Sequence, residues 1–384
     1  MDQSRILYVG LDVHKDSIDI ARAEASRDAE VRHLATVAGG SASVTKALRR
    51  LISAGHQLHI VYEAGPCGFA LARHFAALGW RCDVVAPSSI PRPSGERVKT
   101  DRRDAMKLSR LARVHELTAV RVPDSADEAI RDLVRGREDA VREQRNARHR
   151  LKALLLRNGI AYSGRSSWTA AHLRWLATLA LPHPAQRIVF QEYLHAVSEA
   201  GARIARHEQA MRDALGCWTL APVVAALQAF RGVQLIAAMT LVAEIQDFWR
   251  FASPRQLWPT WGSCRARTPA DRGDAWAPSP RRAMPPRAAC SWRHAHQYRQ
   301  PARVSPAIAQ RQAELPRTVT DIAWAAQTRL CSRYRRLAAR RVHHNKIVVA
   351  IARELCGFVW AIAREVTPQP PSSPARATSP SNPR

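Results

Sequence analysis

A chain of 384 residues allows two or three domains and is long enough to bury a core. Its 59 Lys and Arg against 32 Asp and Glu leave a formal charge of +27, which favours a polyanion such as nucleic acid over a membrane surface. Only six of the basic residues are Lys, and richness in Arg, Ala and Pro can also reflect GC-rich coding, so the charge is discounted somewhat. The longest apolar run, Leu235 to Ile245, is interrupted by Thr240 and Glu244 and falls short of the ~20 residues that span a bilayer. No signal peptide precedes the first strand pattern, and seven cysteines without a CxxC pair suit a reducing cytosol and supply no zinc site. A soluble, cytoplasmic protein facing nucleic acid is expected.

In chain order, Ile6–Val13 and Ser17–Ala23 read as two strands joined by the polar turn His14-Lys15-Asp16. A helix fits Ser43–Ala54. His59–Glu63 is a short apolar strand ending at a carboxylate, broken by Ala64-Gly65-Pro66. Phe69–Leu78 is helical and Arg81–Ala86 is another strand, the order of a mixed α/β sheet. Ser125 opens a long helix with the capping-box partner Glu128, and Asn158-Gly159 stops it. A second long helix covers Ala185–Leu215. The pair forms either a coiled-coil arm or dimerisation element, or two ordinary helices packed on a domain. Residues 221–257 look helical with a turn at Gly232. Residues 258–297 are crowded with Pro, Arg and Trp and lack periodicity. Helical patterning returns from Tyr298, including Ile322–Leu330 and Ile347–Ala363. From Thr367 the chain is rich in Pro and Ser and is expected to be disordered.

Asp12 sits in an otherwise apolar strand, where an ionised carboxylate is costly unless a cation pairs with it. Glu63 ends a second strand and approaches Asp12 if the two strands are neighbours. Asp101 and Asp104 stand three apart, on one side of a helix if a helix begins there. Oxygen ligands of this kind suit Mg²⁺ or Mn²⁺ and the in-line displacement of phosphoryl groups. Singly, Asp12 could cap a turn, Glu63 could pair with an Arg, and Asp101 and Asp104 could be a helix-start charge bias.

The segments Tyr8-Val-Gly-Leu-Asp-Val-His-Lys15, Val61-Tyr-Glu-Ala-Gly65 and Lys99-Thr-Asp-Arg-Arg-Asp-Ala105 closely resemble the DEDD-type insertion-sequence transposases, relatives of the Piv DNA invertase and of bridge-RNA-guided recombinases. The resemblance covers residues 5 to about 257 and resumes over about 298–366. It implies an α/β, RuvC-like (RNase H-type) catalytic domain over 1–124, a long-helix or coiled-coil region over 125–217, and a mainly helical C-terminal transposase domain over 218–366, followed by a tail at 367–384. By this resemblance Asp12, Glu63, Asp101 and Asp104 are the metal-binding catalytic positions, used with a serine nucleophile from the C-terminal domain. The partners implied are DNA of the mobile element and its target, an element-encoded guide RNA, and further copies of the chain, at the bacterial nucleoid. Arg97, Lys99, Arg102 and Arg103 beside the acidic pair either contact phosphates or form a solvated face.

The resemblance fails where the serine is expected. After Arg250–Leu257 the family continues in a pattern like Ala-Tyr-Leu-Gly-Leu-x-Pro-Ser-Glu-x-Ser-Ser-Gly, whereas this chain reads Trp258-Pro-Thr-Trp-Gly-Ser-Cys-Arg-Ala-Arg-Thr-Pro-Ala-Asp271. Shifting the reading frame back by one nucleotide forces Ala from Trp258-Pro259 and Gly from Trp261-Gly262, and permits the remaining family residues. The same shift through Ser279–Pro285 permits Thr-Lys-Thr-Gly-Asn and forces Ala. Residues 258 to about 296 are therefore expected to be translated out of frame, with Ser263, Ser279 and Ser291 as accidents of that frame. The protein would then be an inactive member of its family; a diverged linker is the alternative.

Overall fold

The computed structural model describes residues 6–26, 28–87, 90–91, 100–260 and 295–368. The chain divides into two compact units, Met1–Asp124 and Ser125–Arg384.

The first unit is built on a six-stranded sheet in the order β3-β2-β1-β4-β5-β6. Its strands are β1 (Ile6–Val13), β2 (Ser17–Glu24), β3 (Arg32–Ala38), β4 (Gln57–Glu63), β5 (Arg81–Val85) and β6 (Ala119–Val120). β1, β4 and β5 run parallel, while β2, β3 and β6 are antiparallel to their neighbours. The period of two in β1 sorts its side chains cleanly. Leu7, Val9 and Leu11 join one core with Val44 and Leu48 of α1 (Ser41–Ser53) and Phe75 of α2 (Ala70–Ala77). On the other face, Tyr8, Val61 and Val85 pack against Leu108 and Ala112 of α3 (Asp101–Arg113).

Gly10 lies on that second face and allows α3 to sit directly on β1. A Cβ at Gly10 would stand 2.1 Å from the Ala105 carbonyl oxygen and 2.6 Å from the Ser109 nitrogen. The mixed α/β arrangement expected for this region is therefore present. Strand β3, which the apolar pattern did not reveal, alternates exposed and half-buried residues (Arg32, His33, Thr36) and has no fully buried one.

The second unit is helical. α4 (Ser125–Arg157) and α6 (Pro184–Ala214) pair along their length, with α5 (Ala170–Thr178) between them in sequence. They run antiparallel, since Arg137 binds Glu208 at 2.7 Å, Glu143 pairs with Arg203, and Gln186 donates to Asn158 at 2.8 Å. Gly136 faces the His207 ring, where a Cβ would lie 3.0 Å from it. Among the described residues the further α-helices are α7 (Ala221–Leu227), α8 (Leu235–Ile245), α9 (Pro254–Thr260), α10 (Pro306–Gln312), α11 (Arg317–Ala339) and α12 (His344–Glu365).

The apolar stretch read at Leu235–Ile245 is a core helix, with Ala238 through Ile245 all buried. Its two polar interruptions are satisfied. Thr240 donates to the Ile236 carbonyl at 2.7 Å, and Glu244 accepts two hydrogen bonds from Arg135 at 2.8 and 3.1 Å. Among the described residues no single helix is long and apolar enough to cross a membrane. The segment expected to be out of frame lies outside the described residues except for its two ends, as does nearly all of the expected disordered tail.

Candidate metal centre

Three pieces of backbone bring carboxylates together at the C-terminal ends of the central strands β1 and β4. Asp12 follows Gly10 by two residues on β1 and so faces the same side, toward α3. Because α3 packs closely over Gly10, its first turn is held beside the end of β1. Thr100 caps that helix by accepting a hydrogen bond from the Arg103 amide at 3.4 Å, and Asp101 and Asp104 both fall in the first turn. There they also complement the positive end of the helix dipole. The parallel register pairs Leu11 with Tyr62, so one further step along both strands sets Glu63 next to Asp12. Glu63 shares its face of β4 with Val61, which packs toward α3.

The shortest contacts are made by a residue that the carboxylate pattern did not single out. His14 Nε2 lies 3.3 Å from Asp12 Oδ2 and 3.6 Å from Asp101 Oδ1. Possible ligand atoms of Asp12, His14 and Asp101 all lie within 4.8 Å of one another, and this is the metal-capable group found among the described residues. Glu63 and Asp104 border that group without belonging to it. Beside the expected oxygen ligands, the group thus also offers an imidazole. Its signal was available, because His14 stands two residues beyond Asp12 in the quoted motif.

Burial pushes the Asp12 carboxyl above its ordinary value; the nearby His14 opposes this, and the charges of Asp104 and Asp101 add to it. Only 16% of the Asp12 side chain is exposed, against 50% for His14 and 55% for Asp101. A half-buried acid crowded by other acids suits a bound cation, which would offset the desolvation and the repulsion together. Carboxylates with one imidazole are donors that a divalent cation can use.

A further acid on the same face, Asp19, pairs in register with Asp12 but is otherwise engaged. It accepts hydrogen bonds from Thr36 at 2.7 Å and His33 at 2.8 Å. Arg102 and Arg103 are exposed on the first turn of α3, while Arg97 and Lys99 lie outside the described residues.

The sequence model of the DEDD transposase family of IS110 elements, described as "Transposase", matches residues 9–158. A relative from Sinorhizobium fredii, named as transposase y4qE, is 43% identical over 94% of this chain and 89% of its own length. The transposase for insertion sequence element IS1533 of Leptospira borgpetersenii is 29% identical over 88% of this chain and 98% of its own. With the motif carboxylates set at the ends of the central strands and on the first turn of α3, and this likeness running through both units, the chain belongs to the DEDD family of insertion-sequence transposases.

Proposed function

We propose that this chain descends from a transposase that cleaves and rejoins DNA at a divalent-metal site formed by Asp12, Glu63, Asp101 and Asp104, in a RuvC-like domain. The observation that carries the reading is the meeting of Asp12 and Asp101 about a shared His14, across two elements distant in sequence. A bound Mg²⁺ or Mn²⁺ would supply Lewis-acid activation of an attacking hydroxyl and stabilise the leaving oxygen. The protein's part is positional. Asp12, rigid on β1, and Asp101, on the capped turn of α3, offer oxygens, Glu63 and Asp104 border them, and Arg102 and Arg103 offer charge to the neighbouring phosphates. The resemblance of the three sequence motifs to bridge-RNA-guided recombinases favours an RNA partner and assembly of several copies, with α4 and α6 proposed as the arm that joins them.

The same reading makes this copy inactive, because the segment that supplies the serine in the family is replaced here by residues 258–296. Forced Ala and Gly codons in the neighbouring frame support a double frame slip over a diverged linker. Sequencing the coding DNA across residues 250–300 separates the two. A neighbouring frame reading through Pro-Ser-Glu-x-Ser-Ser-Gly upholds the slip, and its absence refutes it.

The site itself is tested in the native chain by thermal melting with and without Mg²⁺. The ion is expected to raise the midpoint, and Asp12→Asn is expected to abolish that rise. In a frame-restored chain, DNA strand cleavage should require the ion and fall by about 100-fold or more in Asp12→Asn. Cleavage indifferent to that substitution overturns the assignment.

A further inference from the structure

The turn between α11 and α12 carries a concentration of positive charge that no part of the metal site uses. From Ser332 to Ala352 the chain contains no Asp or Glu. Arg329, Arg333, Arg336 and Arg340 follow one another at helical spacing along one stripe of α11. Glu354 of α12 binds the first two, at 2.9 Å from Arg329 and 2.8 Å from Arg333. Arg336, Arg340, Arg341 and Lys346 are exposed, and none of them shares an ion pair with another described residue. The N-terminus of the 22-residue α12 opens at the same place with no acidic residue in its first turn, so the helix dipole adds to the field.

This turn is fixed in shape. The Arg341 amide donates to the Ala338 carbonyl at 2.9 Å and the Val342 amide to the Leu337 carbonyl at 3.2 Å. His343 caps α12, accepting from the Asn345 amide at 3.3 Å, and the Tyr334 hydroxyl meets His344 Nδ1 at 3.0 Å. Arg341 itself is in the left-handed region, φ 53°, a position that glycine fills without steric cost. The chain thus keeps a cation at a backbone position that favours glycine, which points to use of the side chain rather than of the turn alone.

We propose that the α11–α12 turn is a contact surface for the phosphate backbone of duplex DNA, reached by Arg336, Arg340, Arg341 and Lys346. The choice of DNA as the polyanion rests on the transposase reading above. Contacts of this kind carry no base information, so the surface positions DNA of any sequence rather than selecting a site.

The test is a salt series of binding by the full native chain to short labelled duplexes of several sequences, in chelator so that the carboxylate site contributes no ion. Arg336→Gln, Arg340→Gln, Arg341→Gln and Lys346→Gln combined should weaken binding by roughly tenfold or more, alike for every sequence. The slope of log affinity against log salt should shrink by about three to four. Arg341→Gly alone should shrink that slope by about one while leaving the thermal midpoint no lower than the parent's. A combined variant with the parent's slope and affinity overturns the surface and leaves the transposase reading standing. A parent that binds no duplex at all overturns the surface. Loss confined to duplex RNA, with DNA binding intact, overturns the choice of DNA.

Discussion

Replacing Gly10 by Ala tests whether one close approach sets the geometry of the whole carboxylate cluster. The added Cβ would lie 2.1 Å from the Ala105 carbonyl oxygen, 2.6 Å from the Ser109 nitrogen and 3.0 Å from Leu108 Cβ. The first two are backbone atoms of α3 and cannot rotate away. Restoring an ordinary 3.4 Å contact to the carbonyl requires α3 to retreat by about 1.3 Å, the difference from 2.1 Å. Overpacking of this kind costs about 1–3 kcal/mol, which in a unit this small lowers the melting midpoint by roughly 5–15 °C. The retreat also carries Asp101 away from Asp12 and His14, and a misplacement near 1 Å can cost on the order of 100-fold in a catalysed rate. The assay is calorimetric melting with and without Mg²⁺, and strand cleavage in a frame-restored chain. Gly65→Ala serves as the control, since its Cβ meets nothing closer than 3.9 Å. If Gly10→Ala melts with the parent and keeps the full Mg²⁺-induced rise, α3 is not pressed on β1 and the account of the site is wrong.

Arg135→Ala should destabilise the helical unit by about 2–3 kcal/mol, below the full cost of breaking a buried pair because Arg135 is itself half exposed; denaturant melts read it. The partner left behind, Glu244, has only 3% of its side chain exposed, so an unchanged midpoint refutes the burial argument. Asp83 is held below its ordinary carboxylate value chiefly by the hydrogen bond from His59 at 2.6 Å, with burial opposing. A lowered carboxylate stabilises the fold above its unfolded value of 3.8 and loses that contribution as pH falls through the folded value. The melting difference between the parent and Asp83→Asn should therefore be full above about pH 4 and shrink below it; a pH-independent difference contradicts this. His14→Ala removes the group that offsets the raised Asp12 carboxyl, so in chelator it should melt below the parent. Equal melting of the two in chelator rules out that role for the imidazole.

Local patterns in the sequence reached the fold where burial imposed a period and missed it where burial did not. β1 and β4 are buried on both faces or nearly so, and their apolar runs identify them within one or two residues. β3 lies at the sheet edge with no fully buried residue, so Arg32, His33 and Thr36 read as loop. The long helices α4 and α6 were legible from length and from the Asn158-Gly159 stop, and their antiparallel pairing then follows from contacts such as Asn158 with Gln186. α5 was illegible because its nine residues bury only His172 and Leu176, too few to set a stripe.

At the site, what could be read was whatever two neighbouring residues decide between them. Asp101 and Asp104 share a helical turn, and Asp12 shares a strand face with Gly10, so each local orientation was implicit in spacing. The relation between those pieces was not, because it depends on the parallel register of β1 with β4 and on how closely α3 approaches β1. Gly10 carries that second relation, yet a glycine in a strand says only that something comes near, not what. His14 escaped for the opposite reason. Just past the end of β1 it reads as a polar turn residue, and only the docked first turn of α3 converts it into the group shared by Asp12 and Asp101. The chemistry of the site is therefore a property of three elements held at fixed separations, and a change at Gly10, which bears no charge, should disturb it as surely as loss of a carboxylate.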